Sequence, residues 1–557
     1  MGIAVVLTAV LIVCVILVST FNNKREESQN ILDGKTFALG GKIGNESDKI
    51  NTILILNKST HINTPYIREY SVPNGTWPNG ILVSKKTGMV WTVGTKSHTL
   101  LSFDPKQGKI RSIYSIPENR NNTTNNNNNH NTLMTWSMLE DNNGSIWFSQ
   151  EDSPNPLWQF DPSTEKFRSI QLTSGAPHQM KIDKKTGNIW FTTFTDGKLG
   201  VVQKAERKTI TDDNNDISSK YNVTEFDLGK ESFPSGLFLD GNSIWITQSS
   251  NNKLVQYKII TDTKGTVVNI IKTLEIPLSN DQKVFDEPYD VLAFGNKLWL
   301  TEHDASLITE YNIESNNITK FATSMKFNQY INSKPFWIRE GSKDGFWFNE
   351  HYGNRMAFFN TTDMTLTEYE IPTRDPLLGY IANVLNFAVD PSNSNNVWFS
   401  EYDHDKIGMI NSSISILFDI RSSINKVNLL KSINLKVEQK QQKFTFINFE
   451  ILKNTQSNNI FNQSDSIGYY NNNNNHEIVF FGTSSSKTPF GSLNSTTAHF
   501  NTDYVDLTKI KEEKRNIQLI LKNDFISQNP SSSYSTLGIS ATDGRVTKSI
   551  FFEVVTK

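Results

Sequence analysis

The sequence predicts an all-β protein built around a seven-bladed β-propeller. Three observations predict it. A Trp-centred strand motif recurs seven times, successive repeats are about one four-stranded blade apart, and long amphipathic helical patterns are absent.

The motif is an apolar residue, Trp, an apolar or small residue, then Thr, Ser or Asn in most copies. Its tryptophans are Trp91, Trp147, Trp190, Trp245, Trp299, Trp347 and Trp398, with spacings of 56, 43, 55, 54, 48 and 51 residues. The uneven spacing fits loop insertions between blades of constant anatomy. Before each Trp comes an apolar strand, as in Gln179-Met180-Lys181-Ile182. A polar turn such as Asp183-Lys184-Lys185-Thr186-Gly187-Asn188 follows it, with Gly at a left-handed position. After the Trp strand come a third strand, as in Lys406-Ile407-Gly408-Met409-Ile410, and a fourth, as in Leu366-Thr367-Glu368-Tyr369-Glu370-Ile371. These runs are short, rich in β-branched and aromatic residues, and bounded by turn signals.

The chain order suggests how the ring closes. No strand of the Glu-Tyr type follows Trp398, but one precedes the first repeat, Ile67-Arg68-Glu69-Tyr70-Ser71-Val72-Pro73. The expectation is that this N-terminal strand completes blade seven and removes the open edge. Residues 414–418 are the competing candidate.

The ends differ from the ring. Residues 2–23 carry no charge and 5–18 are almost purely aliphatic, long enough to cross a bilayer. Residues 1–23 are read as a transmembrane anchor or uncleaved signal, with a cleaved signal peptide as the alternative. Residues 24–62 are read as a linker. The sole cysteine, Cys14, lies in the apolar segment, and Asn-x-Ser/Thr sequons recur from Asn45 to Asn494, although Asn-rich runs at 125–129 and 471–475 also produce these by chance. The expected location is the cell membrane, single-pass, with the globular part extracytoplasmic. The propeller is assigned to 63–412, a linker to 413–430 and an immunoglobulin-like β-sandwich to 431–557. The last of these rests on strand-like runs at 443–451, 477–481, 517–521, 537–541 and 549–555, and on a closing hairpin.

Composition narrows the function. Of 557 residues, 36% are hydrophobic and 20% charged, and 55 Lys+Arg nearly balance 57 Asp+Glu. No net field draws the chain to nucleic acid, and basic residues do not cluster with aromatics. Phosphate-loop, dinucleotide, His-Glu-x-x-His and Gly-x-Ser-x-Gly motifs are missing.

Aligning the blades on Trp gives candidate channel residues. The innermost strands place Asn79, Thr135, His178, Ser235, Tyr289, Phe336 and Leu385 at one position. Three residues past each Trp stand Gly94, Gln150, Thr193, Gln248, Glu302, Glu350 and Glu401, and the next position includes Glu151, His303 and His351. Carboxylates at one level in blades five to seven, with imidazoles beside two of them, suit a hard cation such as Mg²⁺ or Ca²⁺, or a proton-transfer pair. The bland alternative is that Trp-x-x-Glu simply ends the second strand.

The pattern also resembles a known family. Trp77-Pro78-Asn79-Gly80-Ile81, Trp398-Phe399-Ser400-Glu401 with Lys406-Ile407-Gly408, and Thr367-Glu368-Tyr369-Glu370-Ile371-Pro372 resemble the virginiamycin B lyase (streptogramin lyase) propellers over roughly residues 63–412. Members of that family open a cyclic depsipeptide by β-elimination, with histidines of Pro-His motifs, glutamates and Mg²⁺. The resemblance implies a catalytic role for His178, in Ala176-Pro177-His178. In Glu287-Pro288-Tyr289, Glu287 matches the motif and Tyr289 stands where the family has histidine. The candidate catalytic set is therefore His178, Tyr289 and Glu302, the metal set Glu287, Glu302 and Glu350, and the further channel-mouth set His303, His351 and Glu401. The expected function is a membrane-anchored lyase-like propeller acting on a cyclic ester or related small molecule. The alternatives are a propeller that binds a small-molecule, cell-surface or protein ligand without chemistry, and a structural envelope protein.

Overall fold

The computed structural model describes residues 64–117, 134–151, 156–205, 220–278, 286–323, 333–375 and 380–416, and beyond these only strand segments between 418 and 555. The expected membrane segment 1–23 and linker 24–62 lie outside the described residues. Among the described residues no helix is long and apolar enough to cross a membrane.

Seven four-stranded antiparallel blades follow one another in chain order, five as separate sheets and blades five and six within one 12-stranded sheet that C-terminal strands complete. Blade one comprises Pro78–Val83, Val90–Gly94, Thr99–Asp104 and Lys109–Ser115, and blade two Met138–Glu140, Ile146–Ser149, Pro156–Asp161 and Lys166–Gln171. Blade three comprises Met180–Ile182, Ile189–Thr193, Lys198–Lys204 and Tyr221–Asp227, and blade four Pro234–Asp240, Ser243–Gln248, Lys253–Thr261 and Val267–Pro277. Blade five comprises Pro288–Phe294, Lys297–Glu302, Leu307–Asn312 and Asn317–Ala322. Blade six comprises Pro335–Glu340, Gly345–Glu350, Arg355–Asn360 and Thr365–Glu370. Blade seven takes Phe387–Val389, Asn396–Glu401 and Lys406–Asn411 from its own repeat, and its outermost strand is the N-terminal Ile67–Ser71. That strand pairs antiparallel with the third, from Ile67 opposite Ile410 to Ser71 opposite Lys406. The ring thus closes with the N-terminal strand rather than with 414–418.

The motif explains why the blades stack. Each Trp sits in a separate apolar cluster shared with the following blade. Trp299, for example, packs with Ile338, Phe346 and Phe359 of blade six, and Trp398 of blade seven with Ile81, Val90 and Phe103 of blade one. In blades three to seven the polar residue two past the Trp then bonds a carbonyl in, or just before, the innermost strand of the next blade. Thr192 donates to the Ser235 carbonyl at 2.8 Å, Thr247 to Tyr289 at 2.9 Å and Thr301 to Phe336 at 2.6 Å. Asn349 donates to Val384 at 2.8 Å and Ser400 to Asn79 at 2.7 Å. Each satisfies a buried carbonyl that the channel side leaves without a strand partner.

The segment beyond the ring does not stand apart from it. Its last strand, Val546–Val555, runs antiparallel to the outermost strand of blade six, from Tyr369 opposite Val546 to Thr365 opposite Ile550. Phe551 inserts against Phe321 of blade five and Phe359 of blade six. Edge amides on blade six are thereby paired rather than left open. The closing hairpin of Ser535–Thr542 and Val546–Val555 is present, joined by Asn448–Lys453 and Lys426–Asn428. A second four-stranded sheet contains Phe418–Ser422, Ser432–Gln439, Arg515–Leu521 and Ile467–Asn471. The expected run 477–481 lies outside the described residues.

Candidate functional site at the channel mouth

The mouth is built by one recurring turn. The residue before the innermost strand adopts a left-handed backbone: φ is 51° at Trp77, 45° at Phe233, 53° at Glu287, 51° at Lys334 and 50° at Asn383. Four of these precede proline, where that conformation is further disfavoured. Each is held by a backbone bond from the residue four past the Trp of the same blade. His303 N–H donates to the Glu287 carbonyl at 2.9 Å and His351 N–H to Lys334 at 3.0 Å; Thr95, Ser249 and Tyr402 do the same for Trp77, Phe233 and Asn383. The turn therefore brings the residue before the first strand beside the residue after the second. In blade five these are Glu287 and His303. The innermost strands of blades one, four, five and six then shift register just past their prolines, a bulge that re-aims the side chains there.

Two polar pairs result. Tyr289 Oη and His178 Nε2 lie 2.6 Å apart, joining blades three and five, which are not neighbours in the ring. His303 Nδ1 lies 2.7 Å from Glu287 Oε2 and 3.8 Å from Asp304 Oδ1. The opposite ring nitrogen, Nε2, is buried and has no hydrogen-bond partner. His351 stacks beside His303 at 6.1 Å between centroids, gives Nε2 to Asn383 Oδ1 at 2.8 Å, and likewise keeps Nδ1 buried without a partner.

Aromatic rings enclose these groups. Phe336 stacks on Tyr289 at 4.1 Å and touches His303 and His351 at 5.4 and 5.5 Å. Trp136, Phe194 and Trp337 surround His178 at 5.0–5.3 Å. Glu151 accepts from the Trp136 indole at the rim. Burial pushes the His178 imidazole down to about 3, so it is neutral at pH 7. Burial, then the Glu287 charge, holds the Tyr289 phenol well above its ordinary range, so it stays protonated. Burial, with His303 adding to it, takes His351 to about 3.

The second-strand carboxylates each lie beside a cation of their own blade. Glu302 is fully buried inside blade five, accepting from Thr309 at 2.7 Å and Lys320 at 2.8 Å; Lys320 also bonds Asp286 at 2.9 Å. Glu350 lies opposite Arg355, 3.7 Å from it, with Glu368 and Glu370 around the same guanidinium. Glu401 lies opposite Lys406, whose ammonium bonds Glu69 and Thr373 at 2.8 and 2.7 Å. All three are strand-end carboxylates beside internal cations. The physical reason is the two-residue alternation of a strand: if residue three past the Trp points into the blade, the next turns over the rim. Glu302 and Glu350 therefore do not join Glu287 in a metal set, and Glu302 is not with His178 and Tyr289.

Among the described residues the cluster that could hold an ion is Glu287, His303 and Asp304, whose ligand atoms lie within 4.8 Å of one another. Two carboxylates and one imidazole fit a divalent ion, with the nitrogen favouring a transition metal over Mg²⁺ or Ca²⁺. Lys334 already lies 2.6 Å from Asp304 Oδ1 and offsets its charge. Sequence reasoning missed Trp136, Trp337, Phe194 and Asp304. For the two tryptophans a signal existed: each stands one residue past the aligned channel position, beside Thr135 and Phe336.

No family model matches the sequence, and no curated protein matches it. Solved structures do resemble the chain in fold. Virginiamycin B lyase from Staphylococcus aureus, as its selenomethionine form, is 22% identical with TM-score 0.45 over 62% of this chain and 98% of that one. A catalytically inactive variant of the same enzyme with quinupristin gives 22% and TM-score 0.46 over 62% and 98%. A streptogramin B lyase structure gives 21% and TM-score 0.46 over 62% and 97%.

Proposed function

We propose that the channel mouth over blades five and six is a proton-transfer site, and that the protein is an elimination lyase acting on a cyclic ester or depsipeptide. The observation that carries this reading is the His303–Glu287 dyad. A carboxylate on Nδ1 orients the imidazole, while Nε2 is left without a partner, the arrangement of a general base. The reaction is a β-elimination. Nε2 of His303 takes the proton from the carbon next to a carbonyl. The C–O bond breaks, a carbon–carbon double bond forms, and the carboxylate leaves with its electron pair. No water is consumed. Tyr289, kept neutral by burial, is the hydrogen-bond donor for the developing negative charge when the Nε2–H tautomer of His178 donates to the phenol oxygen. His178 positions that phenol.

A divalent ion, when bound, would supply charge stabilisation, and Glu287, His303 and Asp304 would hold it. The Nδ1 lone pair and the Nδ1–H bond to Glu287 exclude each other, so the dyad and the ion are alternative states of one cluster. The proposal includes the 1–23 anchor, an extracytoplasmic ring, and a sandwich formed by the two C-terminal sheets of four strands each.

The test is incubation with virginiamycin B, with and without Mg²⁺, followed by mass analysis. Elimination gives a linear product isomeric with the substrate; hydrolysis would add one water. The isomeric product, lost in His303→Ala and reduced in Tyr289→Phe, is the expected result. A second reading, a binding propeller without chemistry, is favoured by Phe336, which lies over Tyr289 and both histidines. Saturable binding with no turnover in wild type or Phe336→Ala would establish that reading and reject the lyase.

A further inference from the structure

Deeper in the channel, the residue of each innermost strand that pairs with the motif Trp marks one level of the ring. The seven are Leu82, Leu139, Lys181, Phe238, Leu292, Arg339 and Ala388. Five are apolar, as a position beside an interblade core should be. Lys181 and Arg339 are the exceptions, and both are partly exposed.

Among the described residues one carboxylate, Asp290, answers these two cations, and it is fully engaged. Asp290, buried, accepts from Gln179 at 2.7 Å and the Val291 amide at 2.8 Å on one oxygen, and from the Ile338 amide at 3.0 Å and Arg339 Nη1 at 2.7 Å on the other. Four donors leave it no good site for a further one. The nearby acidic residues Asp183 and Asp390 are bonded within their own turns. The Lys181 ammonium has no hydrogen bond or ion pair among the described residues, and neither Nε nor Nη2 of Arg339 has one. The Arg339 guanidinium lies over the Trp337 and Phe387 rings at 5.3 and 5.7 Å, which fixes its plane in the channel. Burial first, then Arg339, brings Lys181 down to about 8, with Asp290 opposing the shift. Geometry links the two strands at this level: Gln179, two residues before Lys181 on the same chain segment, and Arg339 bond opposite oxygens of Asp290.

We propose that Lys181 and Arg339 form an anion site in the channel that binds a small oxyanion, with the planar guanidinium giving directed donors and the ammonium a point charge. The site is distinct from the His303 cluster at the mouth and does not depend on it.

The probe is inorganic phosphate, compared with chloride at equal ionic strength. Wild type should show a phosphate-dependent rise in melting temperature, and phosphate should protect Lys181 from an amine-acylating reagent at pH 8, read by peptide mass mapping. Lys181→Met should fold, since five blades carry an apolar residue there, and should bind phosphate at least tenfold more weakly. Lys181→Arg should retain binding. Equal effects of phosphate and chloride, unprotected Lys181, or unchanged phosphate affinity in Lys181→Met would each overturn the proposal.

Discussion

Replacing Ile67 by Ala tests the closure of the ring. Ile67 lies in the N-terminal strand, is buried, and packs in the cluster that contains Val384, Phe387, Val397 and Phe399 of blade seven. Val72, just beyond the same strand, packs with Trp398 and blade-one residues in the next interface. The closing segment therefore serves both interfaces that blade seven shares with its neighbours. Truncating a buried Ile to Ala costs about 2–5 kcal/mol, the transfer term plus a cavity. For a ring of about 350 residues, an unfolding entropy of roughly 2.1 cal/mol/K per residue gives about 0.7 kcal/mol/K. The expected fall in Tm is then about 3–7 °C. Thermal unfolding followed by tryptophan fluorescence reads it, because Tyr70 of this strand stacks on Trp398 at 5.7 Å. The control is Ile113→Ala, in the outermost strand of blade one and 51% exposed, which should change stability by no more than about 0.5 kcal/mol. Equal Tm values for the two variants, or an unchanged melting curve after deletion of 63–73, would refute the reasoning that this strand holds the ring shut.

Three further outcomes follow from the same contacts. Thr301→Val removes the hydroxyl bonded to the buried Phe336 carbonyl and should cost about 1–3 kcal/mol in urea unfolding, against no effect on the far blades. Lys320→Met leaves Asp286 and Glu302 buried without their cation and should cost about 3–5 kcal/mol; pairing it with Glu302→Gln should recover part of the loss. Glu401 is pushed up to about 8, first by burial and then by Glu69. Its folded pKa lies above the unfolded value, so its contribution is complete below about pH 4.5 and is lost as pH rises through about 8. A pH series of unfolding free energies should decline by a few kcal/mol over that window, and Glu401→Gln should flatten the decline.

The architecture was legible because its signal is periodic. One Trp per blade at the interblade core, with a hydroxyl or amide two residues on in every blade but the first, is a local pattern that repeats, and the N-terminal strand announced itself by matching the outermost strands. The site was less legible. Alignment on Trp singled out His178, Tyr289, His303 and His351, and the family resemblance added Glu287. Alignment does not say which of two consecutive residues turns inward, nor that Glu302 meets Lys320 and Glu350 lies near Arg355. Nor could it show that Tyr289 reaches across to His178, since that contact spans the ring and no spacing along the chain encodes it. The C-terminal hairpin was visible as strands, but its pairing with blade six depends on Phe551 finding Phe321 and Phe359, far apart in sequence.

Blade five also explains why the dyad sits where it does. In blades three, four, six and seven the third strand opens with a cation, Lys198, Lys253, Arg355 or Lys406, and the outermost strand answers with Glu225, Glu275, Glu368 or Glu69. Blade five reverses the signs: Leu307 replaces the cation, Lys320 takes the outer position, and Glu302 supplies the inner carboxylate. The reversed lysine has an ammonium hydrogen to spare and gives it to Asp286, the residue before Glu287. From blade four, Asn252 Oδ1 accepts from the amides of Asp286 and Glu287 at 3.0 and 3.2 Å. The left-handed turn that carries Glu287 is thus pinned from two sides, by Lys320 and by Asn252, before Glu287 meets His303. Such a conformation costs about 1–3 kcal/mol and persists where surrounding contacts over-determine it. The buried ion pair that displaced Glu302 from the mouth is, on this account, what fixes the carboxylate that orients His303.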